Sequence, residues 1–122
     1  MTYYKKQLGN RGEEEAVKYL QKNGYKIIQQ NYRCRTGEID IIANDGNYLV
    51  FIEVKSRKNT DYGAPGEAVN YFKQQKIIKV AQFYLMTKSI EPNVRFDVVE
   101  IIGEIKNQEF NVGSIKVIKN AF

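Results

Sequence analysis

Asp40, Glu53 and Lys55 are the side chains in this sequence best placed to do chemistry together. Asp40 closes the segment Gly37-Glu38-Ile39-Asp40, and Glu53 and Lys55 close the apolar run YLVFIEVK at 48–55. Between them lies Asn44-Asp45-Gly46-Asn47, a strong turn signal because Asp-Gly accepts the positive backbone angles of a tight hairpin. With Asp45 and Gly46 as the two turn residues, Asn44 opposes Asn47, Asp40 opposes Phe51 and Glu38 opposes Glu53. Opposed residues share a face and side chains alternate along a strand, so Glu38, Asp40, Phe51, Glu53 and Lys55 project together. A slip of one residue would part Asp40 from Glu53, so the arrangement depends on that turn.

Carboxylates gathered on a mostly apolar face are costly. Two of them about 5 Å apart repel by roughly 3 kcal/mol at an effective dielectric near 20. A raised pKa, a salt bridge or a metal ion relieves that repulsion. Oxygen donors suit Mg²⁺ or Mn²⁺, which would bind a phosphate oxygen and acidify a water, with Lys55 stabilising the charged transition state. The other solution is a structural network in which Lys55 only neutralises Glu53. Geometry alone leaves both open.

The elements that must position these residues read from pattern. A helix is expected over 4–23, where Leu8, Gly12, Ala16 and Leu20 recur every four residues and Gly24 follows as a C-cap. Glu13 precedes Ala16 and Val17 by three and four residues and so borders the buried stripe. Strands are expected at 25–32, 38–43 and 48–55, the last apolar on both faces as a central strand is. A polar loop at 58–66 leads to a helix over 67–88, with Val69, Phe72, Ile77, Val80, Ala81 and Tyr84 on its buried side. A strand at 93–102, a turn at 103–108 and a last strand at 109–118 complete the chain. The pattern is a mixed α/β fold of order α-β-β-β-α-β-β, in a single domain over residues 1–122.

Composition narrows the function. Nineteen Lys and Arg against 14 Asp and Glu leave a net charge of +5, which favours polyanionic partners. There is no histidine, which removes the usual zinc sites and any His general base, together with nucleases that depend on one. There is no GxxxxGK[ST], so no nucleotide cofactor is expected. Cys34 is the only cysteine, so no internal disulfide forms, which suits a reducing cytosol. No stretch approaches the length of a membrane span, and the expected location is cytoplasmic.

Taken with their spacing, GEID at 37–40 and FIEVKSR at 51–57 resemble the PD-(D/E)XK signature of restriction-endonuclease-like nucleases, with Ile39 where a proline usually precedes the aspartate. The whole chain resembles the bacterial YraN family, which is similar to archaeal Holliday junction resolvases. That likeness runs through Gly9, Gly12-Glu13, Ala16, Gly24-Tyr25, Asn31, Gly63, Pro65, Ala68-Val69, Lys73, Arg95-Phe96-Asp97 and Asn120-Ala121-Phe122. The resemblance implies a restriction-endonuclease-like fold and a Mg²⁺ or Mn²⁺ ion held by Asp40, Glu53 and the Val54 carbonyl. It implies Lys55 as the catalytic lysine and Glu13 as the first-helix glutamate that helps hold metal or water. It also implies DNA rather than RNA as substrate, branched or otherwise structured, and by analogy with resolvases a homodimer.

Arg33, Arg35, Arg57, Lys58 and Lys73 are candidates for phosphate contact, with Lys5, Lys6 and Arg11 behind them; a solvated basic face is the plainer reading of each. Tyr62-Gly63 lies in a loop that would fold over the site. Nine tyrosines and six phenylalanines leave room for a base-stacking platform, although core packing accounts for most of them. Three functions compete: a metal-dependent endonuclease, a non-catalytic nucleic-acid-binding module of the same fold, and a protein-interaction domain with a structural acidic cluster.

Overall fold

The computed structural model describes residues 3–58 and 70–122, with side chains from residue 7 onward. The order is α1 (Tyr3–Lys22), β1 (Lys26–Cys34), β2 (Gly37–Asp45), β3 (Tyr48–Arg57), α2 (Tyr71–Lys88), β4 (Asn93–Lys106) and β5 (Glu109–Ile118). The strands form one sheet in the order β1-β2-β3-β4-β5. All neighbours are antiparallel except β3 and β4, which run parallel with α2 in the connection between them. This is the mixed α/β order that the sequence pattern predicts. No helix among the described residues is long and apolar enough to cross a membrane.

Each face of the sheet carries its own apolar layer. Ile39, Ile42, Leu49, Phe51 and Val98 pack with Ile77, Val80, Ala81 and Tyr84 of α2. Ile41, Ala43, Val50, Ile52, Val99 and Ile101 pack with Ala16 and Leu20 of α1 and with Tyr25. β3 contributes to both layers, which is why its sequence is apolar on both faces. The four-residue stripe of α1 is buried as expected: Leu8, Gly12, Ala16 and Leu20 all face inward. The helix ends where Gly24, at φ 90°, lets its N–H reach the Gln21 carbonyl and the Tyr25 N–H reach Leu20. That is the Schellman ending, and Tyr25 packs in the same layer as Leu20.

Gly12 sets how closely α1 lies on the sheet. A Cβ there would collide with the side chain of Ser56 on β3. Gly12→Ala is therefore expected to lower the unfolding free energy by about 1–3 kcal/mol, measured by urea titration. Ser56→Gly in the same chain should return part of the loss. No recovery would mean that crowding is not the cause.

Three expectations need correction. First, Asp45 pairs with Tyr48, so Gly46 and Asn47 form the hairpin turn rather than Asp45 and Gly46. Gly46 takes φ 60°, as the first central residue of a type II′ turn must. The register moves by two residues, so the parity that keeps Asp40 and Glu53 together survives. Second, residues 103–106 belong to β4, and only Asn107 and Gln108 turn the chain; both have positive φ (51° and 65°), as a type I′ hairpin demands. Gly103 instead marks a bulge, where an added Cβ would meet the Asn111 carbonyl at 2.7 Å.

Third, α2 begins at Tyr71, capped by Asn70, whose side chain accepts from the Lys73 N–H at 2.9 Å. Val69 and the rest of 59–69, including Tyr62-Gly63, lie outside the described residues. Phe72 was expected on the buried side and is 71% exposed. At about 100° per residue it lies roughly 140° around the helix from Ile77, whereas Lys73 lies roughly 40° away. Lys73 takes the inward position instead.

Candidate functional site

Asp40 sits where β2 leaves β3. The β2–β3 pairing runs from Asp45↔Tyr48 to Ile41↔Ile52. Beyond it, an Asp40 carboxylate oxygen accepts the Val54 N–H at 2.8 Å. The side-chain alternation of β2 also slips here. Ile39 belongs to the α2 layer although Ile41, two residues on, belongs to the α1 layer. By the β1–β2 register the residue opposite Asp40 is Asn31, which holds φ at 54°. Asn tolerates that conformation better than most residues.

Glu53 ends the buried run of β3 and is 7% exposed. Its Oε1 lies 2.6 Å from Lys73 Nζ and 3.7 Å from Lys55 Nζ. Gly37, Glu38, Asp40, Glu53, Lys73, Lys76, Ile77 and Val80 line one pocket of about 150 Å³ between β2, β3 and the start of α2. At about 30 Å³ per water it has room for a hydrated ion but little more. Glu13 lines the adjoining cleft, with Asn10, Glu14, Gln30, Asn31 and Arg33. It accepts a hydrogen bond from the Asn31 side chain, while its Oε1 is buried with no hydrogen-bond partner.

Protonation follows from this crowding. Burial pushes the Asp40 carboxyl up to about 7, and the charges of Glu53, Glu13 and Glu38 add to that against the Val54 hydrogen bond. Burial, Glu38 and Glu53 raise Glu13 as well, opposed by Asn31 and Arg33. Lys55 is lowered, first by burial and then by the neighbouring Lys73 ammonium. Burial opposes the charge on Lys73 too, but its hydrogen bonds to Glu53 and Lys55 and the charges of Glu53 and Asp40 together outweigh that and raise it. One ammonium is thus held charged on Glu53, and beside it a second is made easier to deprotonate.

The structure therefore brings Asp40, Glu53, Lys55 and Lys73 together and leaves Glu13 next door, within electrostatic reach. Among the described residues, no three Asp, Glu, Cys or His side chains converge closely enough to hold a metal ion unaided. Val54 contributes its N–H to Asp40 and its side chain to the α1 layer. Of the expected phosphate contacts, Arg33 is exposed and paired with Glu38 at 2.9 Å. Arg35 is exposed in the β1–β2 turn, and Arg57 and Lys58 lie at the end of β3. Arg11 reaches the Gln108 carbonyl at 3.2 Å.

Two residues beside the site have roles that the sequence does not announce. Asn31 supports Glu13 and carries the left-handed kink, and no local pattern announces either. Glu100, 2% exposed, stands beside Lys55 in the parallel β3–β4 register. It falls within the apolar run of β4, where only that register reveals it. The role of Lys73 was legible in principle, since the helical phase of Ile77, Val80, Ala81 and Tyr84 turns it toward the sheet.

The family model described as "Uncharacterised protein family UPF0102" matches residues 12–101. A UPF0102 protein of Clostridium tetani is 50% identical over 123 residues, covering 100% of this chain and 98% of the relative. One from Clostridium botulinum strain 657 is 49% identical over 124 residues, with the same coverage.

Proposed function

The chain belongs to the UPF0102 (YraN) family, and from that premise and its acidic pocket we propose that it is a metal-dependent endonuclease of the restriction-endonuclease-like kind, hydrolysing phosphodiester bonds in DNA. The observation that carries this reading is that Asp40 and Glu53 line one pocket, with Asp40 held by the Val54 N–H and Lys55 Nζ 3.7 Å from the Glu53 carboxylate. Branched or structured DNA and a homodimer belong to the same proposal by analogy with resolvases, and a cytoplasmic location belongs to it because a single cysteine suits a reducing compartment.

The donor set fits Mg²⁺ or Mn²⁺. It consists of hard carboxylate oxygens, one of them a buried Glu13 oxygen with no hydrogen-bond partner, beside an Asp40 that burial and the Glu53, Glu13 and Glu38 carboxylates keep protonated to about pH 7. Asp40, Glu53 and the Val54 carbonyl would hold the ion, with Glu13 beside them. Such an ion supplies positive charge to a phosphate oxygen and acidifies a water. Lys55, its ammonium weakened by burial and by Lys73, is placed to exchange a proton with that water or to steady the charge developing on the phosphate. Lys73 keeps Glu53 neutralised until a cation arrives. Arg33, Arg35, Arg57 and Lys58 would track the phosphate backbone without reading sequence.

Incubation of the protein with Mg²⁺ or Mn²⁺ and a panel of branched, single-stranded and duplex DNA and RNA tests this. Cleavage is expected on at least one DNA, absent in EDTA and absent in Asp40→Ala. Cleavage that persists in Asp40→Ala would falsify the assignment.

Lys73 and a divalent ion compete for the same Glu53 oxygen. Lys73→Met should therefore tighten Mn²⁺ binding severalfold in calorimetry without DNA. An unchanged or weaker affinity would place the ion elsewhere.

The 2.6 Å Lys73–Glu53 contact also favours a second reading. In it the lysines are the permanent counter-ions, and the protein is a nucleic-acid-binding module that does not cleave. That reading requires that no metal binds in either form.

A further inference from the structure

We propose that Phe72 and Lys76 form a nucleotide subsite on the lip of the acidic pocket, the ring stacking an unpaired nucleobase and the ammonium taking the adjoining phosphate. The proposal deepens the nuclease reading and rests on it: it assigns the pocket single-stranded or frayed DNA rather than continuous duplex. Phe72 is 71% exposed, yet it is not an isolated surface ring. Lys76 lines the pocket, and its Nζ lies 5.1 Å from the centre of the Phe72 ring. Four residues apart, the two share one flank of α2. The pocket's acidic floor repels a polyanion, so a substrate phosphate needs a cation at the rim, where Lys76 stands. The Phe72 face is then next in line for the base attached to that phosphate. Bases inside a duplex have both faces covered by their neighbours, so only an unpaired one can stack there. Tyr71 provides an internal control. It is 74% exposed, but the helical phase turns it roughly 140° away from Lys76.

The test is fluorescence anisotropy with the full chain in EDTA, using a labelled oligothymidylate and a hairpin duplex of equal phosphate count. Phe72→Ala should weaken single-strand binding about 5- to 150-fold and leave duplex binding unchanged. Phe72→Trp should restore it. Lys76→Met should weaken it with a shallower salt dependence. Tyr71→Ala should change nothing. The proposal is overturned by wild type failing to bind the single strand at physiological salt. Equal losses on both DNAs, or an equal loss in Tyr71→Ala, also overturn it. So does Phe72→Ala converting a dimer to a monomer in sedimentation, which would assign the ring to a second copy. Cleavage that requires Asp40 but ignores Phe72 removes the subsite and keeps the nuclease. Selective binding through Phe72 with no cleavage of any substrate removes the nuclease and keeps the ligand.

Discussion

Asp40→Asn is expected to abolish cleavage and at the same time to raise the melting temperature of the metal-free protein. The loss of activity should be at least about a thousandfold, since a ligand's share of metal-borne transition-state stabilisation is several kcal/mol and each 1.36 kcal/mol is tenfold in rate. The stability gain has the opposite origin. In the unfolded chain Asp40 ionises near 3.8; in the fold it keeps its proton to about 7. Between those values the native state binds more protons than the unfolded state, so stability falls as pH rises through that window, and the whole penalty stands above it. Asparagine never carries the charge, and its side-chain carbonyl can still accept the Val54 N–H. The gain should therefore be greatest at pH 8 in EDTA and vanish below about pH 4. Scanning calorimetry at pH 4, 6 and 8 checks it. A variant less stable than wild type at pH 8 would show that the ionised carboxylate is already compensated.

Arg95→Met is expected to be among the most destabilising single changes in the protein. Asp97 is fully buried, on the α1 side of the sheet. Its carboxylate accepts from Arg95 at 2.8 and 2.9 Å, from the Tyr25 hydroxyl at 2.8 Å and from the Asn120 N–H at 3.0 Å. Arg95 also bonds Asp45 at 2.7 Å, so one guanidinium ties the end of β2 to β4. Removing it leaves a buried carboxylate without its cation, a loss of about 3–5 kcal/mol. The converse change is milder. In Asp97→Asn the arginine keeps Asp45, and the amide oxygen still accepts from Tyr25 or Asn120. Urea denaturation should rank the two in that order. Arg95→Met with Asp97→Leu should recover part of the loss. Equal costs for both single variants would mean that Asp45 does not share the charge.

How much of this was legible beforehand divides by range. Period-four burial in α1, the cap at Gly24 and the two-faced β3 are local patterns, and each was readable. The grouping of Asp40, Glu53 and Lys55 was readable because a turn of two residues leaves few registers, and the actual shift by two preserves parity. Contacts that depend on the parallel β3–β4 seam were not readable: Glu100 beside Lys55 and the tie from Arg95 to Asp45 depend on a crossover that no hairpin fixes. Phe72 shows a limit of another kind. Hydrophobicity marks a residue as fit for burial, while the phase of the helix decides whether burial happens.

That seam also bears on how the chain folds. The β1–β3 meander and the β4–β5 hairpin join residues close in sequence, whereas every β3–β4 pair, from Tyr48↔Asn93 to Arg57↔Ile102, spans 45 positions. Loop-closure entropy must be met before those pairs reward it, which makes the seam the slow pairing. Until it zips, β3 and β4 each present an apolar open edge to other chains, and that interval is when aggregation competes most strongly with folding. Glu53 and Lys55 lie on the β3 side of this joint. The pocket itself is lined from β2, β3 and α2, but Glu100 comes to stand beside Lys55 only when the seam closes, so a chain stalled before it would hold most of its secondary structure without that neighbour.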